Sequence, residues 1–404
     1  MALDIAAIYK DLHANPELSF QENRTAGIAA ATLEQLGYTV HTGIGRTGVV
    51  GVLENGEGPT VLLRADMDGL PVEEQTGLPY ASTARGVDPE GRDVPVMHAC
   101  GHDVHVTCLL GAAEKMVETR SEWSGTLILV FQPAEELGEG ASAMIEDGLY
   151  DRVPKPDVVL GQHVAPLPVG MIGLRPGEAM AASDSMNVKL WGQGGHGSQP
   201  EATVDPVLLA AATVMRLQGV VSREVSPFDA AVVTVGQMHA GTKNNIIADY
   251  ATLGLSIRSY DAEVRNKVLA TIERIVRAEA QASGAPKEPE ITFDTSLPLT
   301  RNDPDASARV TAALEGVVGE QRVFQPAPIA GSEDVSHFAT AAGCPLVFWF
   351  LGGADPSIAP RILETGRMPD DIPSNHSPFY APLMEPTLQI GVNALVAAAR
   401  EWLG

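Results

Sequence analysis

Apolar and polar positions alternate with two different periods along the N-terminal part of the chain. Residues 4–15 and 22–38 carry apolar side chains at intervals of three and four, which predicts two amphipathic helices, the second ending at Gly37. Short apolar runs bounded by Gly or Pro predict strands at 47–54, 59–66, 125–133 and 156–164. Further helical patterns lie at 105–120 and 140–150. This alternation predicts an α/β fold with a mainly parallel mixed sheet flanked by helices, which binds ligands at the carboxyl ends of its strands.

The pattern changes near Ser185. The next segments predict strand, helix, strand, strand, helix and strand, at 185–194, 204–221, 230–238, 249–260, 262–283 and 289–294. This order is a self-contained βαββαβ unit, a ferredoxin-like sheet with two helices on one face. Residues 297–305 resemble a return linker. An apolar strand and a final helix follow, with the same kind of pattern as the N-terminal part of the chain. The sequence therefore predicts a larger domain, residues 1–184 and 299–404, interrupted by an inserted domain at 185–298.

Composition and charge limit the partners of the chain. At 404 residues it is long enough for two domains, and 45% hydrophobic with 19% charged residues is ordinary for a globular protein. The net charge of −24 repels nucleic acid and anionic membranes. No apolar run approaches the roughly 18 residues of a membrane helix, and the N-terminal residues do not resemble a secretory signal. With only three cysteines in the chain, these features predict a cytoplasmic protein.

Residues 97–105, MHACGHDVH, concentrate potential metal ligands. If residues 98–102 are extended, the side chains of His98, Cys100 and His102 point the same way, because side chains alternate along an extended chain. Thiolate, imidazole and carboxylate groups together suit zinc and similar divalent ions. The alternative is a loop in which these side chains satisfy one another without an ion.

A second group of donors follows the predicted strand at 125–133. The adjacent carboxylates Glu135 and Glu136 lie where the chain leaves the sheet, and neighbouring side chains rarely point the same way. One can therefore ligate an ion while the other acts as a general base, although such a pair is often simply solvated. His163 and His376 stand at the ends of predicted elements. Each alone is more often structural, but together these residues predict a site at the edge of the sheet.

These residues belong to a series of motifs that resembles a known superfamily. RADMDGLPV, HACGHDVH, FQPAEELGEGA, GGHGSQP, NNIIAD, GSEDVSHF and NHSPFY occur in the order found in the two-metal aminoacylase and carboxypeptidase superfamily. The chain is most similar to its branch of hippurate hydrolases, N-acyl-amino-acid amidohydrolases and plant auxin-conjugate hydrolases. The resemblance extends from about Tyr9 to the last predicted helix.

The resemblance implies a role for each matching residue of the larger, catalytic domain. It implies two divalent metal ions, and manganese, zinc, cobalt or nickel can each serve in the family. The five implied ligands are Cys100, His102, Glu136, His163 and His376. Glu135 matches the general base. Asp68 matches an acid that does not bind the metal itself but orients a residue that does. His98 and His105 match the motif without its ligand roles.

The inserted domain resembles the dimerisation or lid domain of the family, which implies a homodimer or a higher homo-oligomer. His196 matches a residue that reaches the active site of the partner subunit and stabilises the oxyanion there. Asn245 and Arg258 match positions that hold the substrate. Arg258 also has a rationale in charge, because a protein at −24 needs a local cation to bind an anionic substrate. The alternative for Arg258 is a surface salt bridge.

The implied activity is metal-dependent hydrolysis of the amide bond of a small N-acyl amino acid to a carboxylate and a free amino acid. Glu135 takes a proton from the attacking water and returns it to the leaving amine, and no acyl-enzyme forms. A metallo-dipeptidase or carboxypeptidase of the same superfamily is one alternative. A cysteine hydrolase with Cys100 as nucleophile and His102 as base, and a non-catalytic metal-binding homologue, are the others.

Three features depart from the pattern expected of the family. Residues 85–96 form a longer polar segment before the ligand loop, Gly69 stands where alanine is expected, and Gln162 precedes His163 where an apolar residue is usual. These departures leave the implied ligand set intact. They bear instead on which acyl group and which amino acid the protein prefers.

Overall fold

The structure, a computed structural model, describes residues 2–365 and 368–404, which form two compact units. Unit 1 consists of the residues up to Ala179 together with Arg301–Ala327 and Asp334–Gly404. Unit 2 consists of Met180–Thr300 and Pro328–Glu333. It therefore extends beyond the predicted inserted domain, 185–298, at both ends and includes a short return segment.

The helices are α1 (Ile5–Ala14), α2 (Asn23–Gln35), α3 (His102–Glu118), α4 (Gly140–Glu146), α5 (Leu149–Arg152), α6 (Pro206–Leu217), α7 (Ala262–Ala282), α8 (Pro304–Val318), α9 (Ser336–Ala342), α10 (Ala359–Thr365) and α11 (Met384–Leu403). The strands are β1 (Thr39–Ile44), β2 (Gly48–Asn55), β3 (Thr60–Asp66), β4 (Arg85–Val87), β5 (Asp93–Pro95), β6 (Gly125–Gln132), β7 (Val158–Pro168), β8 (Ile172–Leu174), β9 (Gly177–Met180), β10 (Ala182–Trp191), β11 (Gly195–His196), β12 (Ala231–Ala240), β13 (Ile246–Ile247), β14 (Tyr250–Ser259), β15 (Glu290–Leu297), β16 (Thr300–Asn302), β17 (Val323–Phe324) and β18 (Leu346–Ala354).

Unit 1 is built on an eight-stranded sheet in the order β1-β2-β6-β3-β7-β18-β8-β17. Its four central strands, β6, β3, β7 and β18, pair in parallel, while β1, β2 and β8 add antiparallel pairs on either side. The central strands are buried on both faces, which explains why they appear in the sequence as continuous apolar runs rather than as alternating patterns. The prediction of a mainly parallel mixed sheet flanked by helices is confirmed.

Helix α3 lies at the centre of unit 1, and small residues let it pack closely against α11. A Cβ added at Gly111 would lie 2.6 Å from Val392, and one added at Gly391 would lie 2.5 Å from Sγ of Cys108. Such distances are shorter than van der Waals contact, so larger side chains would push the helices apart. Close packing therefore holds α3, in whose first turn the donor-rich segment 97–105 ends.

Unit 2 contains a four-stranded antiparallel sheet in the order β12-β14-β10-β15, with α6 and α7. Alternate residues of β10, Met186, Val188 and Leu190, are buried and share one apolar core with Leu209 of α6 and Ile272 of α7. The residues between them remain partly exposed, as expected for a sheet covered on one face. The predicted βαββαβ unit is confirmed.

The chain returns to unit 1 between Thr300 and Arg301, inside the expected return linker at 297–305. The segment is not an irregular linker, however, because it contains β16 and the start of α8. Asn302 is buried, and its side-chain amide donates to the carbonyl oxygen of Phe348 (2.8 Å). Asp303 accepts a hydrogen bond from the amide of Ala306 (2.8 Å), and Pro304 occupies the first turn of α8. Asp followed by Pro is thus a helix start here rather than a turn. In the described part of the chain, none of the helices combines the length and the apolar character that a membrane span requires.

Candidate active site

The predicted donors of unit 1 meet where its central strands end. Asp66, the last residue of β3, pairs with Gln132, the last residue of β6. Glu135 follows three residues after the end of β6, and Asp68 two residues after the end of β3. On the other side of β3, His163 comes two residues after the Gly161 that pairs with β3. His163 therefore does not close its strand, since β7 continues to Pro168.

The ligand loop is not extended, so the expected alternation of His98, Cys100 and His102 is wrong. The amide of Gly101 donates to the carbonyl oxygen of His98 (3.1 Å), and Gly101 has φ of +84°, a left-handed turn that favours glycine. His102 is already the first residue of α3. His98 is buried, and neither of its ring nitrogens has a hydrogen-bond partner among the described residues. Burial lowers the pKa of His98 to about 4, so its ring is neutral.

The five predicted ligands form one cluster of donor atoms. Sγ of Cys100 lies 3.4 Å from Nε2 of His163. Nε2 of His102 lies 3.8 Å from Oε1 of Glu136, and the other carboxylate oxygen of Glu136 lies 3.4 Å from Nε2 of His376. Ligand atoms of Cys100, His102 and Glu136 all lie within 4.8 Å of one another. Residues that are up to 276 positions apart in sequence thus offer sulfur, nitrogen and oxygen to one small volume.

Two of these donor atoms are buried and lack a partner. Among the described residues, Nε2 of His102 and Oε1 of Glu136 make no hydrogen bond. Burying a polar atom without a partner costs about 1–3 kcal/mol, so such atoms normally indicate a bound group. Burial would lower the pKa of His102, but Asp66, Asp68 and Glu136 outweigh it and raise this pKa to about 10. The same negative potential attracts a cation, and the donor set fits divalent metal ions.

Each candidate histidine ligand is oriented by a hydrogen bond at its other nitrogen. Nδ1 of His163 donates to the carbonyl oxygen of Val164 (2.8 Å), which leaves the Nε2 lone pair facing Cys100. Burial and the neighbouring His105 lower the pKa of His163, so its ring stays neutral and able to donate that lone pair. Nδ1 of His102 donates to Oδ1 of Asp68 (3.2 Å). This arrangement is usual for metal-binding histidines.

Asp68 holds the loop that carries both glutamates. Besides His102, its Oδ1 accepts from the amide of Glu135 (3.2 Å), and its Oδ2 accepts from the amide of Glu136 (3.0 Å) and the hydroxyl of Ser19 (2.6 Å). Burial would raise the pKa of Asp68, but these hydrogen bonds and the charge of His102 lower it overall. Asp68 is therefore an ionised carboxylate. It binds both helix α3, through His102, and the loop that carries Glu135 and Glu136, called the glutamate loop below.

His105 is not placed as a ligand, because both of its ring nitrogens have partners. Its Nδ1 lies 2.5 Å from Oδ1 of Asp66, and its Nε2 accepts from the amide of Val164 (2.8 Å). Arg64, fully buried, pairs with the other oxygen of Asp66 at 2.5 Å. Burial would raise the pKa of Asp66, but Arg64 and the two histidines hold it well below its usual range. This chain of contacts fixes the Val164 peptide that orients His163.

His376 enters the cluster from a strained loop. Its φ is +71°, which is uncommon for a residue other than glycine, and its amide donates to the carbonyl oxygen of Ala99 (2.8 Å). The neighbouring Asn375 donates to the carbonyl oxygens of Cys100 (3.1 Å) and Val164 (3.2 Å). His376 is half exposed, and its hydrogen bond with Glu136 raises its pKa. Hydrogen bonds thus join the loop at 375–376 to the segment that carries Cys100 and to the segment that carries His163.

Glu135 lies beside the donor cluster and is 8% exposed. Its Oε2 is 4.0 Å from Nε2 of His102. The alternative of a cysteine nucleophile with His102 as its base is not supported by the geometry, because Nε2 of His102 makes no hydrogen bond to Cys100. Sγ of Cys100 lies 3.4 Å from Nε2 of His163 instead. Burial and the charges of Glu136 and Glu135 raise the pKa of Cys100 well above its ordinary value, which opposes a free thiolate.

The remaining predicted residues lie in unit 2. His196, on β11, is exposed, and its Nδ1 accepts from the amide (3.1 Å) and faces the hydroxyl (2.7 Å) of Ser198, which leaves Nε2 outward. The carbonyl oxygen of Asn245 accepts from the amide of Gly197 (2.9 Å), so His196 and Asn245 belong to one pair of short strands and their turns. Nη1 of Arg258 donates to the hydroxyl of Ser332 (2.6 Å). Among the described residues Arg258 has no carboxylate partner, so the alternative of a surface salt bridge is not realised.

Several supporting residues were missed in the sequence: Ser19, Glu22, Asp66 and Asn375. Asp66 shares the RADMD motif with Asp68, and Asn375 precedes His376 in SNHSPFY, so both were adjacent to residues that were recognised. Ser19 and Glu22 lie in LSFQEN, which has no donor pattern of its own. No sequence signal connects Ser19 to Asp68, 49 positions away, or Glu22 to the amide of Ala134, which donates to its carboxylate from 112 positions away.

Comparisons with known proteins agree with this site. Residues 62–401 match the model described as peptidase family M20/M25/M40. The chain is 40% identical over 344 residues to hippurate hydrolase of Campylobacter jejuni, over 84% of this chain and 86% of that one. It is 39% identical over 353 residues to thermostable carboxypeptidase 2 of Saccharolobus solfataricus, over 86% and 85%. Among solved structures, the Bacillus subtilis YXEP protein, described as a dinuclear metal binding peptidase from the M20 family, matches with a TM-score of 0.76 at 28% identity, over 98% of this chain and 96% of that one.

The chain therefore belongs to peptidase family M20/M25/M40. The resemblance inferred from its motifs is confirmed, and so is the expected class, a hydrolytic enzyme of the amidohydrolase type. The roles of the individual site residues, the ions and the substrate are proposals.

Proposed function

We propose that the protein hydrolyses the amide bond of N-acyl amino acids with the help of two divalent metal ions. The observation that carries the proposal is the buried Glu135 carboxylate beside five donors, of which Nε2 of His102 and Oε1 of Glu136 have no partner among the described residues. A base next to metal ligands suits hydrolysis and has no use in a storage site. Hippurate hydrolase, named for an N-acyl amino acid, is among the relatives at 40% identity.

The residues proposed to hold the ions are Cys100, His102, Glu136, His163 and His376. Manganese, zinc, cobalt and nickel are the candidates, because a set of sulfur, nitrogen and oxygen ligands suits these first-row ions better than it suits calcium or magnesium. When bound, divalent ions lower the pKa of water and polarise a carbonyl oxygen, which are the two effects that amide hydrolysis needs.

Protein side chains move the protons in this scheme. The carboxylate of Glu135 accepts one proton from the water whose oxygen forms the new bond to the acyl carbon. It then gives this proton to the nitrogen of the leaving amine as the C–N bond breaks. Asp68 keeps Glu135 and His102 in position through its hydrogen bonds to both. His196 of a second subunit donates a hydrogen bond to the oxyanion.

Arg258 and Asn245 are proposed to bind the substrate. A guanidinium forms two parallel hydrogen bonds with a carboxylate, which an N-acyl amino acid always carries. Arg258 is half-buried and has no carboxylate partner among the described residues, so its charge is available for one. In a chain of net charge −24, such a cation determines whether an anionic substrate can bind at all.

We also propose that the active form is a homodimer or higher oligomer formed through unit 2. Strand β12 lies at the edge of its sheet and carries Val232 and Met238, which are 49% and 42% exposed. Leu208 and Met215 of α6 are 69% and 74% exposed. An exposed edge strand next to apolar side chains favours pairing with a second copy. A reducing compartment such as the cytoplasm suits the three free cysteines, since Cys100 must stay reduced to act as a ligand.

A carboxypeptidase or dipeptidase is the second candidate, supported by the 39% identity to thermostable carboxypeptidase 2. Peptide and N-acyl amino acid hydrolysis use the same groups, because both break an amide bond next to a free carboxylate. The two differ in what lies on the acyl side, which is an amino acid residue in a peptide and a simple acyl group in the other substrates.

The test is the release of free amino acid from N-acetyl, N-benzoyl and indoleacetyl amino acids and from dipeptides. Each is assayed before chelation, after chelation, and after manganese, zinc, cobalt or nickel is added back. Activity on acyl amino acids that chelation abolishes and one metal restores supports the proposal. Activity confined to dipeptides favours the second candidate, and activity that survives full chelation contradicts both.

A further inference from the structure

Glu22 stands at the start of α2 but does not cap that helix. A side chain at this position can cap its helix by accepting hydrogen bonds from the first amides. Here the side chain of Glu17 does so instead, accepting from the amides of Arg24 (2.9 Å) and Thr25 (2.8 Å). The carboxylate of Glu22 turns away from α2 and is completely buried. It therefore has a different task from helix capping.

The carboxylate of Glu22 binds backbone amides and a hydroxyl from three separate segments. Its Oε1 accepts from the amides of Phe20 (2.9 Å) and Ala134 (2.8 Å), and its Oε2 accepts from the hydroxyl of Thr47 (2.5 Å). Burial and the nearby charge of Asp68 raise the pKa of Glu22 to about 7. The oxygen that faces Ala134 accepts its hydrogen bond whether or not the other oxygen carries a proton.

Both amides bound by Glu22 belong to residues with strained backbones. Phe20 has φ of +62° and Ala134 has φ of +48°, both in the left-handed region that side chains disfavour. Residues other than glycine keep such conformations only where their surroundings hold them. The hydrogen bond from Glu22 supplies this restraint at Ala134, the residue directly before the proposed base.

Three successive amides of the glutamate loop are held by two buried carboxylates. The amide of Ala134 is bound by Glu22, and the amides of Glu135 and Glu136 are bound by Asp68. Such a run of amides around anionic oxygens is a concave backbone arrangement that a left-handed residue helps to form. Because the backbone direction at Ala134 decides where the next two side chains point, Glu22 acts on Glu135 and Glu136 without touching either.

We propose that Glu22 is a positioning residue that fixes the 134–136 backbone, and thereby the places of the base Glu135 and the ligand Glu136. The functional part of this inference rests on the proposed hydrolysis, whereas its structural part does not. The hydrogen-bond acceptor at Ala134 is the essential element. A glutamine at position 22 keeps that acceptor and offers its amide group to Thr47, whereas an alanine removes every contact.

The test compares Glu22→Ala, Glu22→Gln and the matched control Glu17→Ala, which removes a carboxylate that caps the same helix but does not touch the 134–136 loop. Three quantities are measured: amide hydrogen exchange of peptides covering residues 132–138, Co²⁺ affinity by competition with a chelator, and kcat at saturating metal. We expect Glu22→Ala to exchange faster at 132–138, to bind Co²⁺ about tenfold more weakly, and to lose tenfold or more in kcat with a smaller change in KM. Glu22→Gln should stay within about threefold of the wild type in Co²⁺ affinity and kcat, since its acceptor is intact.

Glu17→Ala is expected to lower thermal stability and leave exchange at 132–138, Co²⁺ affinity and kcat unchanged. If Glu22→Ala behaves like Glu17→Ala, or if Glu22→Gln is as impaired as Glu22→Ala, the positioning role is wrong. If Glu22→Ala does not fold, Thr47→Val, which removes one contact of Glu22, should show the same changes with smaller size, and no change would contradict the proposal. A wild-type protein without hydrolytic activity would overturn the proposed function, while the exchange and Co²⁺ measurements would still decide the role of Glu22.

Discussion

Asp68 and His102 are joined by a buried hydrogen bond of 3.2 Å between Oδ1 and Nδ1, which leaves Nε2 of the ring without a partner among the described residues. The bond fixes both the orientation and the tautomer of His102. Since Asp68 also binds the amides of Glu135 and Glu136, one carboxylate aligns a candidate ligand with the loop that carries the proposed base.

Replacing Asp68 by Asn is expected to weaken metal binding. The asparagine amide can turn a donor towards His102, which favours the wrong tautomer, and it removes a negative charge beside the donor cluster. Loss of such a supporting carboxylate costs about 10–100-fold in metal affinity. The dissociation constant for Zn²⁺ or Co²⁺, measured against a chelator, checks this. Ser19→Ala, which removes only the hydroxyl bound to Oδ2, serves as the control and should have a smaller effect.

Glu135→Gln is expected to reduce kcat by about 10²–10⁴-fold, because an amide cannot accept the proton of the attacking water. Metal content should be unchanged, since Glu135 is not among the proposed ligands. Both quantities are measured on the same preparation, by amino acid release and by elemental analysis. Glu139→Gln, an exposed glutamate of the same loop, is the matched control and should keep full activity. Near-normal turnover of Glu135→Gln would remove this residue from the mechanism.

Elements and donors were predictable to different degrees, for physical reasons. A buried strand such as β6 is a continuous apolar run, and an amphipathic helix such as α2 has apolar residues at intervals of three and four, so the sequence predicts both elements. The candidate ligands were found because their residue types and motifs are distinctive. The extended form of 98–102 was wrong because Gly101 adopts φ of +84°, and glycine permits both conformations.

Contacts between distant segments could not be predicted in the same way. The hydrogen bond from Ala134 to Glu22 spans 112 positions, and nothing near either residue indicates the other. Residues 328–333 join unit 2 because the amide of Ala181 donates to the carbonyl oxygens of Ile329 (3.0 Å) and Gly331 (3.1 Å). The contacts of Ala181 join backbone to backbone and do not depend on side-chain identity, so they leave no trace in a single sequence.

Arg258→Met is expected to raise KM for N-acyl amino acids about tenfold to a hundredfold, because a hydrogen bond between charged groups contributes about 1.5–3 kcal/mol. A substrate whose carboxylate is blocked as an amide should be hydrolysed equally by both proteins, since it offers no anion. Steady-state kinetics on the two substrates tests this. Arg277→Met provides the control, because that arginine forms exposed ion pairs with Glu273 and Glu288 on the same unit. An unchanged KM for the free acid would contradict a role in substrate binding.

His196 is expected to act in the active site of a second subunit, and mixed dimers test this. Glu135→Gln and His196→Ala should each be strongly impaired alone. When the two variants are co-expressed with different tags and the mixed dimer is purified, one of its two sites combines an intact Glu135 with an intact His196. Activity should then return to as much as about half of the wild-type value per dimer, as one functional site in two requires. A mixed dimer as inactive as its parents, or a wild-type protein that is monomeric by light scattering, would contradict the proposal.

His13 joins α1 to the first turn of α3. Its Nδ1 lies 2.6 Å from Oδ2 of Asp103 and its Nε2 lies 3.0 Å from Oε1 of Glu74, and all three side chains are buried. Burial opposes a charge on His13, but the two carboxylates outweigh it and raise the pKa of His13 from 6.5 to about 10. Because the pKa is higher in the folded protein, His13 stabilises it fully below pH 6.5 and loses this contribution as the pH rises to 10.

The decrease in the free energy of unfolding caused by His13→Gln should therefore be largest near pH 6.5 and become smaller towards pH 10. The difference in unfolding free energy between wild type and variant is expected to shrink by a few kcal/mol over this range, since one pKa unit corresponds to about 1.4 kcal/mol. Denaturant unfolding at several pH values measures this difference. The contribution of His102 is present in both proteins and therefore cancels from it. His41→Gln, a change of the same kind on strand β1, where the histidine has no ion pair among the described residues, serves as the control. Asp103 directly follows His102, so His13 holds the start of α3 beside a proposed ligand. If the difference in unfolding free energy did not depend on pH, His13 would hold this turn by packing rather than by charge.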